Sequence, residues 1–321
     1  MDQLIETTAT RIFMDHGADA AGLWQALTDT GLTRAWLPED QGGGDLAPAD
    51  AFGLIRLSGA AARPVPFAET LLAGFLLSQS GMDVPDGALS IAMAAGPDHL
   101  AVPFGGEVAA VVEHSGARVT LWELSQTAPA ETVGGDPETH AARAQASLIA
   151  QGPPPPWLTQ DVFTQICALA RAAQMCGAMQ GVLDLTLGFT AEREQFGRPL
   201  SKFQAIQHML SEMAGELAAS LAALQGAVET VQSDGPPDVR AVAAAKIRAS
   251  EAAGIVAAHA HQAHGAIGYT GEYDLARYTR RLWRWREQFG NETEWAITLG
   301  RALTSPEAAD LTTEIFGDTH D

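Results

Sequence analysis

Arg193, Gln195 and Phe196 stand together in the short segment REQFGRP, where Gly197 and Pro199 turn the chain. They offer one permanent cation, one amide and one aromatic face. That set suits the phosphates and adenine of a dinucleotide, because a guanidinium forks onto phosphate oxygens and cannot lose its charge. Other reactive residue types are less organised. His259, His261 and His264 are spaced so that only the last two share a helical face, and no nearby carboxylate or cysteine completes a metal set. Cys167 and Cys176 lie nine apart in an apolar helical stretch and read as small core residues rather than a disulfide or zinc pattern. The run Gly42-Gly43-Gly44 follows no strand and has no Lys-Ser/Thr after it, so it reads as a turn and not as a phosphate loop.

A strong helix must carry the REQFGRP segment. Ile206, Met209, Leu210, Met213 and Leu217 recur at helical spacing, with Glu212 and Glu216 towards solvent. The spacing predicts helices over about 160–192, 201–231, 237–264 and 272–286, with a final one around 292–304. An alanine-rich third member (AVAAAKIRASEAAGIVAAHA) permits close antiparallel packing. Residues 1–84 read as an N-terminal helical domain. Residues 85–150 read as a short antiparallel β-domain, from the punctuated apolar runs ALSIAMAA, HLAVPFG, EVAAVVEH and ARVTLWEL. The prolines of residues 151–158 form a linker, and residues 159–321 form a C-terminal four-helix bundle. The fold class is therefore mainly α with a small β-domain.

Composition narrows the function. At 321 residues, with 46% hydrophobic and 18% charged residues, the chain is globular and long enough to bury a core. A net charge of −20 argues against nucleic acid or an anionic membrane as partner, so any anionic ligand must find a local basic pocket. No apolar run approaches the roughly 20 residues of a membrane span. MDQLIETTATRIF lacks the basic start and apolar core of a signal peptide, which makes a reducing cytoplasm the simplest location.

REQFGRPL followed by KFQAIQHMLSEMA resembles the signature of the acyl-CoA dehydrogenase family, whose members use FAD to remove two hydrogens from an acyl-CoA thioester. About seventy residues on, AHQAHGAIGYTGEYDLARYTRR is similar to the family's Gln-x-x-Gly-Gly-x-Gly-aromatic segment, and two rare motifs in fixed order make chance a poor explanation. The resemblance implies that Arg193 reaches the FAD pyrophosphate of a neighbouring subunit, with Gln195 and Phe196 beside it near the adenine. It also implies that Gln204 lies close to the adenine portion and that Gln262, Gly265 and Gly268 contact the pyrophosphate. Ala266 stands where many members have a second glycine. The family's Thr-Glu loop and Trp-x-Ser/Thr element at the flavin ring are not visible in the shortened β-domain.

The resemblance also demands a carboxylate to take the α-proton, at one of two places. Counting from Gly268 puts Phe289 at the first, and the second falls near Cys167 and Ala168. Neither offers a carboxylate. Glu251, Glu287 and Glu292 remain as substitutes, although Glu251 also suits pairing with Lys246 or Arg248, and Glu292 and Glu294 suit the first turn of the last helix. Arg277, Arg280, Arg281 and Arg284 share a face that could bind a CoA tail or an acidic partner, or be solvated or ion-paired. Two readings follow. The chain is an FAD-dependent acyl-CoA dehydrogenase acting as one subunit of an oligomer, with acyl-CoA as substrate and an electron-transfer acceptor. Alternatively it is a non-catalytic subunit that completes a partner's FAD site. Heteromeric, steroid-side-chain-type members of the family join the two.

Overall fold

The protein is described by a computed structural model covering residues 3–16, 19–96, 98–124, 130–131, 134–271 and 273–304. Four helices open it: α1 (Gln3–Asp15), α2 (Ala20–Asp29), α3 (Pro48–Ala61) and α4 (Phe67–Gln79). Aromatic packing joins them, with Trp36 stacked on Phe75 at 4.6 Å and Phe13 edge-on to Phe67 at 5.1 Å. The triple-glycine stretch closes a turn, with Asp45 N–H donating to Leu37 O at 2.8 Å and Leu46 N–H to Ala35 O at 3.0 Å.

A seven-stranded sheet follows, built from β1 (Leu89–Ala94), β2 (His99–Pro103), β3 (Ala110–Ser115), β4 (Arg118–Leu124), β5 (Ala130–Glu131), β6 (Pro137–Ala142) and β7 (Ala146–Gly152). Its order is β5-β6-β2-β1-β3-β4-β7. The antiparallel expectation is corrected here, because β1 and β3 pair in parallel, from Leu89 opposite Ala110 to Ala92 opposite Glu113. The reason is topological: β2 turns back along one edge of β1 and pairs onward with β6, so the connection after β2 crosses to the free edge of β1 and delivers β3 in the same direction.

The helical bundle comprises α5 (Gln160–Glu192), α6 (Gln204–Val228), α7 (Val239–His264), α8 (Leu275–Glu287) and α9 (Glu292–Leu303). The 33-residue α5 is long and apolar enough to cross a membrane by length and composition, contrary to the sequence expectation, but 89% of its most apolar window is buried inside the protein. It is the core helix. Its crossing with α3 depends on two glycines: a Cβ on Gly59 would lie 2.1 Å from Gln174 O, and one on Gly177 would lie 1.9 Å from Arg56 O. Only backbone-to-backbone contact fits there.

Buried ion pairs tie the three layers together. Glu69 of α4 meets Arg171 of α5 at 2.5 Å, both almost fully buried. Arg281 and Arg284 of α8 reach Asp136, at 2.6 Å, and Glu138 of the sheet. Arg277 donates to Ala61 O at 2.6 Å. Of the four arginines predicted to share a face, three thus clamp α8 to the first helices and the sheet.

Candidate functional site

Between the sheet and the bundle lies a cavity of about 770 Å³. Its walls come from β1, β3, the first two turns of α5, the turn at Phe289-Gly290, and α9. Ile91, Phe163, Cys167, Phe289 and Trp295 make an apolar floor, and Arg143, Gln160, Asp161, Glu294 and Arg301 a polar rim. Volume and lining both suit an organic ligand with a polar end.

The two positions where the resemblance places a carboxylate meet in this cavity, filled by Cys167 and Phe289. Cys167 is fully buried and burial pushes its thiol far above the ordinary range, so it forms wall rather than nucleophile. Phe289 takes a left-handed backbone at φ +56°, followed by Gly290 at φ +93°. Three contacts hold this turn. Trp295 Nε1 donates to Phe289 O at 2.9 Å, the Arg171 guanidinium lies 5.6 Å from the Phe289 ring, and a Cβ on Gly290 would come within 2.8 Å of the indole nitrogen.

None of the three glutamates chosen from sequence lines the cavity. Glu251 is exposed on α7 and pairs with Arg248 at 3.3 Å, and Glu287 is exposed at the end of α8. Glu292 is gripped by both ends of the Arg286 fork, which holds its carboxyl below the ordinary range. The carboxylates that do line it are Glu113, Asp161 and Glu294. One of these left a sequence signal: Asn291-Glu292-Thr293-Glu294 has capping-box spacing, and the box forms, with Asn291 Oδ1 accepting from Glu294 N–H and Glu294 Oε2 from Asn291 N–H. Glu113 left none, because a glutamate inside a buried strand becomes intelligible only beside its partners Arg143 and Trp122.

The dinucleotide candidates gather elsewhere, at the end of the bundle where α5 and α7 stop. Phe189, in the last turn of α5, stacks on His264, in the last turn of α7, at 4.3 Å. Arg193 caps α5 and is exposed. Beyond it a two-strand hairpin, β8 (Glu194–Gln195) with β9 (Arg198–Pro199), turns through Phe196 at φ +52° and Gly197 at φ +77°. Two positive φ values match the tight hairpin turn, which normally selects Asn or Gly at its first position. Phe196 is instead an aromatic, 92% exposed. Gln204 opens α6, whose Phe203 cap supplies no side-chain acceptor, so its first amides are unclaimed by a side chain. Gln262 is exposed on α7 and Gly265 ends that helix at φ +65° with open space around it. Gly268 differs: it is buried, and a Cβ there would press on Leu275 and His264 at 3.0 and 3.1 Å, so packing accounts for it. Guanidinium, open helix amides, exposed aromatic face and an approachable glycine together fit the phosphate and adenine half of FAD.

Lys246 lies fully buried on α7, donating to Trp285 O at 3.2 Å and Arg286 O at 2.7 Å, and so secures the end of α8 that leads into the Phe289 turn. Burial lowers its ammonium to about 7 from 10.5; Arg171 and Arg286 add to that shift, while Glu292 and Glu287 oppose it. Between those values the unfolded chain keeps a proton that the folded chain releases, so this residue makes stability rise with pH across that window, with the full charge-burial cost below it. Unfolding titrations of wild type and Lys246→Met at pH 6 and pH 9 test this. Wild type gains roughly 2.6 kcal/mol on the variant over that interval, about two pH units above the folded value at about 1.36 kcal/mol each; a difference flat with pH contradicts it.

Residues 164–292 match the family model described as acyl-CoA dehydrogenase, C-terminal domain. The chain is 30% identical to the acyl-CoA dehydrogenase IpdE2 of Mycobacterium tuberculosis over 276 residues, covering 83% of this chain and 81% of that one. Among solved structures, a Tcur3481-Tcur3483 steroid ACAD variant superposes with a TM-score of 0.79 at 24% identity, covering 92% of this chain and 96% of that one. The ChsE4-ChsE5 complex of Mycobacterium tuberculosis gives a TM-score of 0.79 at 23% identity, covering 94% and 96%. On the strength of the IpdE2 match across most of both chains, with fold and motifs in agreement, this chain belongs to the acyl-CoA dehydrogenase family.

Proposed function

We propose that the chain is an FAD-dependent acyl-CoA dehydrogenase working as one subunit of a heteromer with another dehydrogenase chain. The observation that carries this is Phe196, an aromatic side chain 92% exposed at the tip of a hairpin in a left-handed backbone. An exposed ring in a strained turn, touching the fold only through an edge contact with Phe203 at 6.3 Å, contributes little to the isolated fold, and such strain gathers where a ligand or partner uses it. Arg193 and the open start of α6 lie beside it, so the group it would cover is anionic and flat. Arg193 would hold the pyrophosphate, Phe196 and Gln204 the adenine, with Gln262 and Gly265 contributing from their own edge of the same bundle end. When bound, FAD would supply the hydride acceptor; Arg193 and the cavity lie at opposite ends of α5, about 39 Å apart at 1.5 Å per residue, so the FAD held here would serve a neighbouring subunit's site and the cavity would take its flavin from that neighbour. The chain's part is to hold the thioester in the cavity, exclude water from the apolar floor and place a proton acceptor.

A cavity of about 770 Å³ leaves room for a bulky acyl group, in keeping with fatty-acid or steroid-derived thioesters. The two-chain complexes among the structural neighbours support the heteromeric reading. An electron-transfer protein would reoxidise the flavin, and a cytoplasmic setting suits free, buried thiols.

A second reading keeps the assembly and removes the chemistry: Cys167 and Phe289 fill the positions of the family's base, as in a subunit that completes a partner's site. Assaying enoyl-CoA formation by the assembled complex, with cavity-blocking Ala92→Trp placed in this chain alone, separates the two. Lost turnover supports catalysis in this cavity; full turnover supports the second reading.

A further inference from the structure

Resting on the dehydrogenase reading for its effect on FAD, we infer that His261 and His264 form an acid-sensitive catch at the dinucleotide end of the bundle: proton uptake by the pair unseats the turn Gly265–Tyr269 and lets the flavin go. Both histidines lie in the last turn of α7 and both are buried, at 5% and 6% exposure. Their hydrogen bonds fix which nitrogen carries the proton. His261 Nε2 donates to Thr279 Oγ1 at 3.0 Å, because the Thr279 hydroxyl spends its own hydrogen on Leu275 O at 3.3 Å. His264 Nδ1 donates to Ala260 O at 2.8 Å, a carbonyl that can only accept. Each ring is therefore held neutral, with its one N–H used. The second nitrogen of each, His261 Nδ1 and His264 Nε2, is buried with no hydrogen-bond partner among the described residues. A proton there makes an N–H with nothing to accept it.

The groups packed on the rings are neutral or already paired. Phe189 of α5 and Tyr273 lie 4.3 and 5.0 Å from His264, while Tyr269 and Trp283 of α8 stack on His261 at 4.1 and 5.9 Å. Glu192 at the end of α5 and Asp274 ahead of α8 act on Tyr273 and on neither imidazole. On α8, Arg277 is paired with Asp274 at 3.1 Å and Arg281 with Asp136 at 2.6 Å. His259, one turn back, has in Glu212 at 2.9 Å the acidic partner that these two lack. Burial holds both imidazoles below their usual value of 6.5, and His264 pushes His261 down further. Below 6.5 the opened end binds protons that the closed end does not, so closure weakens as pH falls towards the lowered values. Gly268 carries the effect outward. A Cβ there would lie 3.1 Å from His264 Cβ and 3.3 Å from His261 Nδ1, so the turn that begins at Gly265 rests directly on the two side chains.

Backbone hydrogen exchange of residues 265–271 in the assembled, flavin-loaded protein, corrected for intrinsic rate, tests this between pH 8 and pH 5.5. Protection in wild type falls by roughly tenfold to a hundredfold, the cost of one or two N–H groups without acceptors, and flavin leaves the complex over the same range. His261→Phe with His264→Phe keeps stacked rings but cannot titrate, and holds both protection and flavin at pH 5.5. It strands no buried donor, since Thr279 still donates to Leu275 O. His259→Gln responds as wild type does. Exchange of the imidazole C2 hydrogens, read by mass spectrometry, follows the two titrations in wild type whether or not the double variant folds, with midpoints below 6.5. Protection flat with pH in wild type, the same loss in the double variant, or midpoints at or above 6.5 overturns the catch. Loosening at pH 5.5 with flavin retained overturns its link to the cofactor. A complex that holds no flavin at pH 8 overturns the dehydrogenase reading, and the exchange measurements still decide the catch.

Discussion

Replacing Arg193 with Ala weakens FAD binding to the assembled protein by roughly tenfold to a hundredfold, the effect of losing one or two charge-assisted hydrogen bonds of about 1.5–3 kcal/mol in total. The large effect follows from place as much as charge. Arg193 caps α5, is exposed, and stands beside a hairpin tip whose Phe196 ring is largely exposed, touched only edge-on by Phe203 at 6.3 Å among the described residues. Arg198 is already engaged, its guanidinium 4.1 Å from the Phe203 ring, so it is poorly placed to substitute. Lysine at position 193 restores charge but not the planar fork and recovers only part of the affinity. Equilibrium dialysis or flavin fluorescence on the purified complex measures this. Flavin content unchanged in Arg193→Ala refutes the assigned role.

Replacing Glu69 with Ala produces the largest change in stability, a loss of about 3–5 kcal/mol, because it leaves Arg171 charged and buried. For a chain of this size the melting temperature falls by on the order of 10 °C. Arg171 then keeps Gln174 and the Phe289 ring as its direct neighbours, and the one acid still acting on it among the described residues, Asp136, is already held by Arg281 at 2.6 Å. The double change Glu69→Leu with Arg171→Met removes both charges and recovers most of the loss, since burying a pair and breaking a pair are different operations. Calorimetry on the three variants reads this directly; additive losses in the double variant contradict it. Because Arg171 supports Phe289, the single variant also loosens the cavity floor.

What was legible in the sequence followed from local rules. The helix placed at about 160–192 runs Gln160–Glu192, because the prolines before it stop the sheet and REQFGRP breaks the far end. Arg193, Gln195 and Phe196 were readable because their types and spacing carry chemistry before any fold is known. The rest depended on distance along the chain. That α8 presents arginines was visible, but their partners Asp136 and Glu138 lie about 145 residues away, so the periodicity could not say that the face was spent on internal pairs. The parallel β1–β3 pair left no residue signature, since direction was decided by where β2 found room. PETHAA of β6 was missed because a strand opening on proline and rich in polar residues contradicts strand propensity until its partner β2 is known. The three chosen glutamates fell outside the cavity for the same reason: sequence supplied the residue type needed but not which helix face the cavity would meet.

The central claim is that this chain holds one part of an FAD site that a second dehydrogenase chain completes. Flavin stoichiometry tests it most directly, measured by absorbance on the chain purified alone and then purified with a partner dehydrogenase chain. The account predicts a colourless or strongly substoichiometric protein alone, and flavin retained through gel filtration only in the two-chain complex. A chain that emerges alone with one FAD per protomer and reduces an electron acceptor with an acyl-CoA contradicts it.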